Sequence, residues 1–239
     1  LISSGTERML HEFGKSSLLN KALSQPERVK DVLNKAKTDG LYETFNAVQN
    51  KINEPIPLGY SNVGTVIDKG HQVKDLSIGD TVICNGSHAE INSVSSNLCA
   101  KVPENVSHED AVFTVIASIA LQGIRLANPT LGESFLVSGL GLIGLLTCQI
   151  LKANGCKVFG VDPDSSKCNL AENFGIKSFT QIDDISSWCN TNNEGKLCDG
   201  VLISASTKSN QPIEIASKIT RKKGRIIVIG DVGLNLNRA

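Results

Sequence analysis

Residues Gly139-Leu140-Gly141-Leu142-Ile143-Gly144 have the spacing GxGxxG. Glycines recur by chance, so the spacing alone carries little weight. Here it directly follows the apolar run Phe135-Leu136-Val137 and opens a further apolar stretch of helical length. Asp162 then closes the next apolar run, Val158-Phe159-Gly160-Val161. A strand, a glycine turn and a helix, followed by an acidic residue after the second strand, make up a dinucleotide cradle. Gly139 permits the tight turn, and Gly144 lets helix and strand pack closely. Gly141 lets the backbone approach a pyrophosphate, whose charge meets the N–H groups at the helix start. Asp162 is placed to accept hydrogen bonds from the adenosine ribose hydroxyls and to repel a 2′-phosphate. The expected cofactor is therefore NAD, with NADP less favoured. Ser204 and Gly230, which end the later apolar runs Val201–Ile203 and Ile226–Ile229, complete the candidate set.

Other reactive side chains are scattered. The 7 cysteines have no CxxC spacing and no histidine near them in a ligand pattern, so they read as thiols of a reducing cytoplasm. Arg221-Lys222-Lys223 invites a phosphate-binding reading. Its place before Gly224 suggests instead the last turn of a helix, where cations favour the dipole.

The elements that must position these groups follow from the apolar pattern. From Ser134 onward, continuous apolar runs alternate with helical stretches at Leu142–Asn154, Ser165–Phe174 and Ile213–Lys222. Runs apolar on both faces belong to a parallel sheet covered by helices on both sides, which is a doubly wound α/β domain. The earlier part is different. Val63–Ile67, Thr81–Ile83 and Ala89–Val94 predict short antiparallel strands of a barrel-like unit, with a helical insertion over about 15–53. Within it, Ser24-Gln25-Pro26-Glu27 predicts a helix start and Gly40 a stop. In the next helix Leu41, Phe45, Val48 and Ile52 form a stripe expected to be core. The uncharged run between Glu133 and Lys152 approaches the length of a membrane span, but its three glycines fit the strand–turn–helix better. Lys+Arg and Asp+Glu both total 24. With no charge surplus to draw a nucleic acid or an acidic membrane, a small molecule is the expected partner.

In this order, the residues resemble the medium-chain dehydrogenase/reductase superfamily, to which zinc alcohol dehydrogenases belong. The resemblance rests on Ser3–Glu7, Leu58–Gly64, Gly79–Val82, the glycine fingerprint and Gly224–Gly230. It implies a GroES-like β-barrel catalytic domain over 1–108, carrying the helical insertion, and a Rossmann domain over 109–239. The insertion, with Ala205–Asn210, resembles a bacterial group in which this module is fused to a sugar-oxidoreductase-like second domain and is associated with polysaccharide biosynthesis. Against the family pattern the chain begins within an early strand and stops just after the fifth Rossmann strand. A homo-oligomer is also compatible with the resemblance.

The departures bear on chemistry. The positions that match zinc ligands are Ser4, Tyr60 (within Gly59-Tyr60-Ser61) and Thr114, none of them a thiolate, imidazole or carboxylate. The cysteine-rich lobe is absent, and His71 and His88 are isolated, so no zinc is expected. A carbonyl reduced without a Lewis acid still needs a proton. Thr6 resembles the hydroxyl that relays a proton in zinc members, and Tyr60 replaces a ligand, so both are candidate catalytic groups. The implied function is an NAD-dependent, zinc-independent oxidoreductase acting on an alcohol or carbonyl, such as a sugar or nucleotide-sugar. The alternatives are an NADPH-dependent quinone or enone reductase, and a dinucleotide-binding scaffold without catalysis.

Overall fold

Continuous aliphatic runs need cover on both faces, and the later half of the chain supplies it. In the computed structural model, which describes residues 1–2, 4–24, 26–181, 185, 187 and 196–235, this half lies in one of two units, Phe113–Ala239. Its strands are β4 (Ser134–Ser138), β5 (Lys157–Val161), β6 (Lys177–Phe179), β7 (Cys198–Ile203) and β8 (Thr220–Val228). They pair in the order β6-β5-β4-β7-β8, every pair parallel. The helices are α6 (Thr114–Ala127), α7 (Leu142–Ala153), α8 (Ser165–Asn173) and α9 (Gln211–Ile219). This is a Rossmann-like doubly wound sheet.

Alternation along β4 divides the core into two layers. Phe135 and Val137 pack with Ile124, Cys148 and Leu151 on one face, while Leu136 packs with Val201, Ile213 and Ala216 on the other. Gly155 and Gly175 end α7 and α8 with φ of 82° and 70°, as helix-terminating glycines do. Helix α6 has no counterpart in the sequence reading.

One boundary differs from expectation. The basic run Arg221–Lys223 does not end a helix but opens β8. Helix α9 stops at Ile219, where Thr220 Oγ1 donates to Ala216 O at 2.6 Å, and Thr220 already pairs with Cys198 on β7. A register irregularity between Cys198 and Gly200 takes up the extra residues. Arg221 Nε then pairs with Asp199 Oδ1 at 2.6 Å.

The other unit, Leu1–Val112, opens with α1 (Ser4–Lys15), α2 (Leu18–Ser24), α3 (Pro26–Asp39) and α4 (Leu41–Asn53). The helical region thus begins at Ser4 rather than near Lys15, and the described residues before it, Leu1 and Ile2, lie in no strand. An Arg8–Glu12 pair at 2.7 Å supports that first helix at i,i+4 spacing. Ser3 and Gln25 of the quoted motifs lie outside the described residues. Gly40 separates α3 from α4 with φ 89°. The stripe on α4 is only partly inward, with Val48 half-buried and the Leu41 side chain outside the described residues. Phe45 and Ile52 are exposed, and Thr44 is buried.

Three antiparallel strands follow: β1 (Asn62–Thr65), β2 (Thr81–Cys84) and β3 (Cys99–Lys101), in that order. The third strand is not the expected 89–94. There Asn92 Nδ2 donates to Ser87 O at 3.1 Å and to Ala89 O at 3.4 Å, folding the segment onto itself. Local side-chain bonds of this kind compete with a ladder. Helix α5 (His108–Ala111), capped by Ser107 Oγ accepting from Asp110 N–H at 3.1 Å, closes this unit.

Candidate functional site

The glycine turn lies between the carboxyl end of β4 and α7, where doubly wound sheets bind their ligands. Gly139 has φ 94°, a conformation L side chains rarely adopt, and a Cβ there would fall 2.6 Å from Ala205 N. A Cβ on Gly144 would fall 1.9 Å from Gly139 O. Gly141 has open space around its Cβ position and begins α7 from an extended conformation. The three glycines therefore have different local demands: a turn, an open approach and a close packing contact. The N–H groups of Leu142 and Ile143 belong to the first turn of α7, where no intrahelical acceptor exists.

Asp162 is 5% exposed and reaches back to this turn. Its Oδ2 accepts from Leu140 N–H at 2.8 Å, and its Oδ1 from Asp164 N–H at 3.0 Å. Lys167 Nζ lies 3.4 Å from both oxygens. The Leu140 side chain is fully buried in the core, so of this residue only the backbone faces the turn. Ser204 Oγ donates to Gly139 O at 2.6 Å, and Ser204 N–H to Ser138 O at 2.8 Å. Gly230 packs against β7: its N–H donates to Ile203 O at 2.9 Å, and a Cβ there would meet Ala205 O at 2.1 Å. Gly139, Leu140, Gly144, Asp162, Ser204 and Gly230 are thus brought together around one turn. A separate cleft of about 460 Å³, lined by Lys157, Asp199 and Arg221 among others, lies by the amino ends of the strands, away from this turn.

Thr6 and Tyr60 belong to the other unit. Thr6 sits on α1 rather than on a loop, half-buried, and Tyr60 is half-buried just before β1. What links their neighbourhoods is His88, which the sequence reading set aside. His88 Nε2 lies 3.1 Å from Oε1 of Glu7, the residue after Thr6. Its backbone N–H donates to Leu58 O at 2.8 Å, and its ring lies against Gly59, where a Cβ would be 2.7 Å away. Gly59 has φ 89°, so both space and backbone require glycine there. Ser61, next to Tyr60, is buried and donates to Val112 O at 2.5 Å.

The three positions matched to zinc ligands, Ser4, Tyr60 and Thr114, carry hydroxyl groups. Among the described residues no three His, Cys, Asp or Glu side chains gather as a ligand set, and Thr114, one matched position, opens α6. A dinucleotide does fit the turn, since Gly141 leaves open the space that a Cβ would fill.

The zinc-binding dehydrogenase family matches residues 143–237. D-guloside 3-dehydrogenase of Escherichia coli (strain K12) is 37% identical over 122 residues, covering 49% of this chain and 35% of that protein. L-idonate 5-dehydrogenase of Vitis vinifera is 25% identical over 226 residues, covering 79% of this chain and 62% of that protein. The chain therefore spans between about a third and three fifths of these relatives' length. The solved galactitol-1-phosphate dehydrogenase of Escherichia coli superposes with a TM-score of 0.67 at 24% identity, covering 77% of this chain and 62% of that one. No helix among the described residues is long and apolar enough to cross a membrane.

Proposed function

We propose that this chain, which belongs to the medium-chain dehydrogenase/reductase superfamily, works in an oxidoreductase that interconverts an alcohol and a carbonyl on a sugar or nucleotide-sugar. It uses NAD(H) in preference to NADP(H), needs no zinc, and operates in the cytoplasm. The observation that carries this reading is the glycine turn tied to a buried carboxylate, Leu140 N–H on Asp162 at 2.8 Å. The names of the relatives, which act on guloside and idonate, support the sugar-like substrate class.

Bound at this turn, the dinucleotide supplies or accepts the hydride. The chain's own residues do the rest. Gly139, Gly141 and Gly144 shape the turn, and the first N–H groups of α7, at Leu142 and Ile143, face the pyrophosphate charge. Asp162 offers its remaining lone pairs to the ribose hydroxyls. Tyr60 Oη gives a proton to the carbonyl oxygen during reduction, and Thr6 Oγ1 passes a proton onward.

Lys167 favours a second reading, in which NADPH serves a quinone or enone reductase. Its ammonium, 3.4 Å from the Asp162 carboxylate, offsets part of the charge that would repel a 2′-phosphate. Fluorescence titration with NADH and NADPH distinguishes the two. NADH should bind at least about tenfold tighter, from charge repulsion and lost hydroxyl bonds. Equal or reversed affinities overturn the NAD assignment. Turnover with polyols, aldonates and alkyl glycosides, against quinones and enones, tests the substrate class. Cofactor binding with no turnover on either panel would mean a scaffold.

A further inference from the structure

Cys84 on β2 and Cys99 on β3 stand directly opposite each other in the antiparallel ladder. Just beyond β3, Val102 N–H donates to Thr81 O at 3.0 Å, which makes Thr81 and Val102 a hydrogen-bonded pair. Bonded and non-bonded pairs alternate along such a ladder. Val82–Lys101 is therefore non-bonded, Ile83–Ala100 bonded and Cys84–Cys99 non-bonded. A non-bonded pair brings its Cα atoms to about 4.5 Å with both side chains on one face, the closest approach a sheet offers. Disulfides span Cα separations of about 4.4–6.8 Å. The two thiols thus stand at bonding reach.

Their surroundings agree. Cys84 is buried and Cys99 half-buried, with Cys99 Sγ 3.6 Å from Ser95 O. Burial first, and then the neighbouring Cys84 thiol, push the Cys99 thiol above its ordinary value, so the two sulfurs interact. The other described cysteines, Cys148, Cys156, Cys168 and Cys198, are buried in the other unit. Among the described residues, no other two cysteines face each other across a ladder.

We propose that Cys84 and Cys99 form a thiol-oxidation site, a dithiol that closes to an intramolecular disulfide using glutathione disulfide or a similar small disulfide as oxidant. The more accessible Cys99, as thiolate, attacks one sulfur of glutathione disulfide and releases one glutathione thiolate. Cys84 then loses its proton and attacks the Cys99 sulfur, expelling the second glutathione. The protein gives up two protons and two electrons, and glutathione disulfide becomes two glutathiones. The new bond closes the segment 85–98 into a ring. That segment carries His88, which contacts Glu7 and Gly59. Because attack requires the thiolate and Cys99 is held above its ordinary value, closure accelerates as pH rises.

Both cysteines lie in the tryptic fragment Asp75–Lys101, which has no internal Lys or Arg. The folded protein is treated with glutathione disulfide, unfolded in guanidinium chloride at mildly alkaline pH with excess iodoacetamide already present, and digested without reduction. The fragment should then carry no alkyl group, and two after prior reduction with dithiothreitol. Cys84→Ser should stop at the Cys99–glutathione mixed disulfide. Two alkyl groups, or a persistent glutathione adduct, on the oxidised parent fragment overturn the proposal. So does closure no faster in the folded protein than in guanidinium chloride, because the ladder would then not be holding the thiols together.

Discussion

Replacing Gly144 by Ala should destabilise the Rossmann unit itself, while the same change at Gly141 should spare it. At Gly144 the added Cβ would fall 1.9 Å from Gly139 O and 2.7 Å from Ser204 Oγ. That carbonyl has nowhere to retreat. Gly139 already holds φ 94°, its own Cβ position is 2.6 Å from Ala205 N, and its oxygen accepts the Ser204 hydroxyl at 2.6 Å. Either α7 slides along the sheet or the turn opens and the Ser204 bond is lost. Overpacking costs about 1–3 kcal/mol and the lost bond about 1 kcal/mol, together roughly 2–4 kcal/mol. For a unit of roughly 130 residues at about 4 °C per kcal/mol, Tm should fall by roughly 8–16 °C.

At Gly141 nothing lies within 4 Å of the Cβ position, and φ is −71°, which alanine accepts. Gly141→Ala should therefore leave Tm within about 2 °C of the parent. It should instead weaken NADH by on the order of tenfold, because the methyl group fills the space through which the backbone approaches the pyrophosphate. Scanning calorimetry beside NADH fluorescence titration separates the two effects. If Gly144→Ala melts within about 2 °C of the parent, or Gly141→Ala loses as much stability as Gly144→Ala, the division of labour argued for the turn is wrong.

Three further outcomes are expected. Tyr60→Phe should cut turnover roughly 10²–10⁴-fold with NADH affinity unchanged, and Thr6→Val should cost less; near-normal turnover of Tyr60→Phe removes it from the chemistry. Burial pushes the Asp199 carboxyl up, but the Ser134 N–H, the Arg221 guanidinium and the Ser134 hydroxyl outweigh it and hold it below its ordinary value. A depressed carboxylate stabilises the fold above the unfolded value, about 3.9, and that contribution drains as pH falls through the folded value. Urea midpoints should therefore drop below about pH 4, and drop less in Asp199→Asn. Elemental analysis should find well under one zinc per chain once any affinity tag is removed, and about one would overturn the zinc-free reading.

How much was legible follows from where the signal is local. The Rossmann strands could be read because cover on both faces forces unbroken aliphatic runs such as Phe135–Val137. The glycine turn could be read because the positive φ of Gly139 and the contact of Gly144 with Gly139 O are set within a few residues. The start of β8 could not be: a basic run between a helix and a strand looks like a helix end, and what draws Arg221 into the sheet is Asp199, 22 residues earlier. The strand expected at 89–94 failed because Ser87 and Asn92 bond to each other and to nearby carbonyls, which no apolar pattern reveals. His88 was missed because its partner Glu7 lies 81 residues away and its seat against the chain depends on the positive φ of Gly59.

Asp162 lies between these cases, and it ties the fold to the proposed chemistry. Its acidic type after the second Rossmann strand was visible, but its grip on Leu140 N–H was not. A carboxylate offers about four lone-pair sites; the Leu140 and Asp164 N–H groups fill two, and Lys167 Nζ, 3.4 Å from both oxygens, competes with the ribose for the rest. The group that would recognise the ribose thus also holds the turn that would carry the pyrophosphate. Removing it should loosen the turn as well as the nucleotide preference. A relaxed preference therefore cannot be read as lost ribose recognition unless the Tm of the same variant is measured beside it.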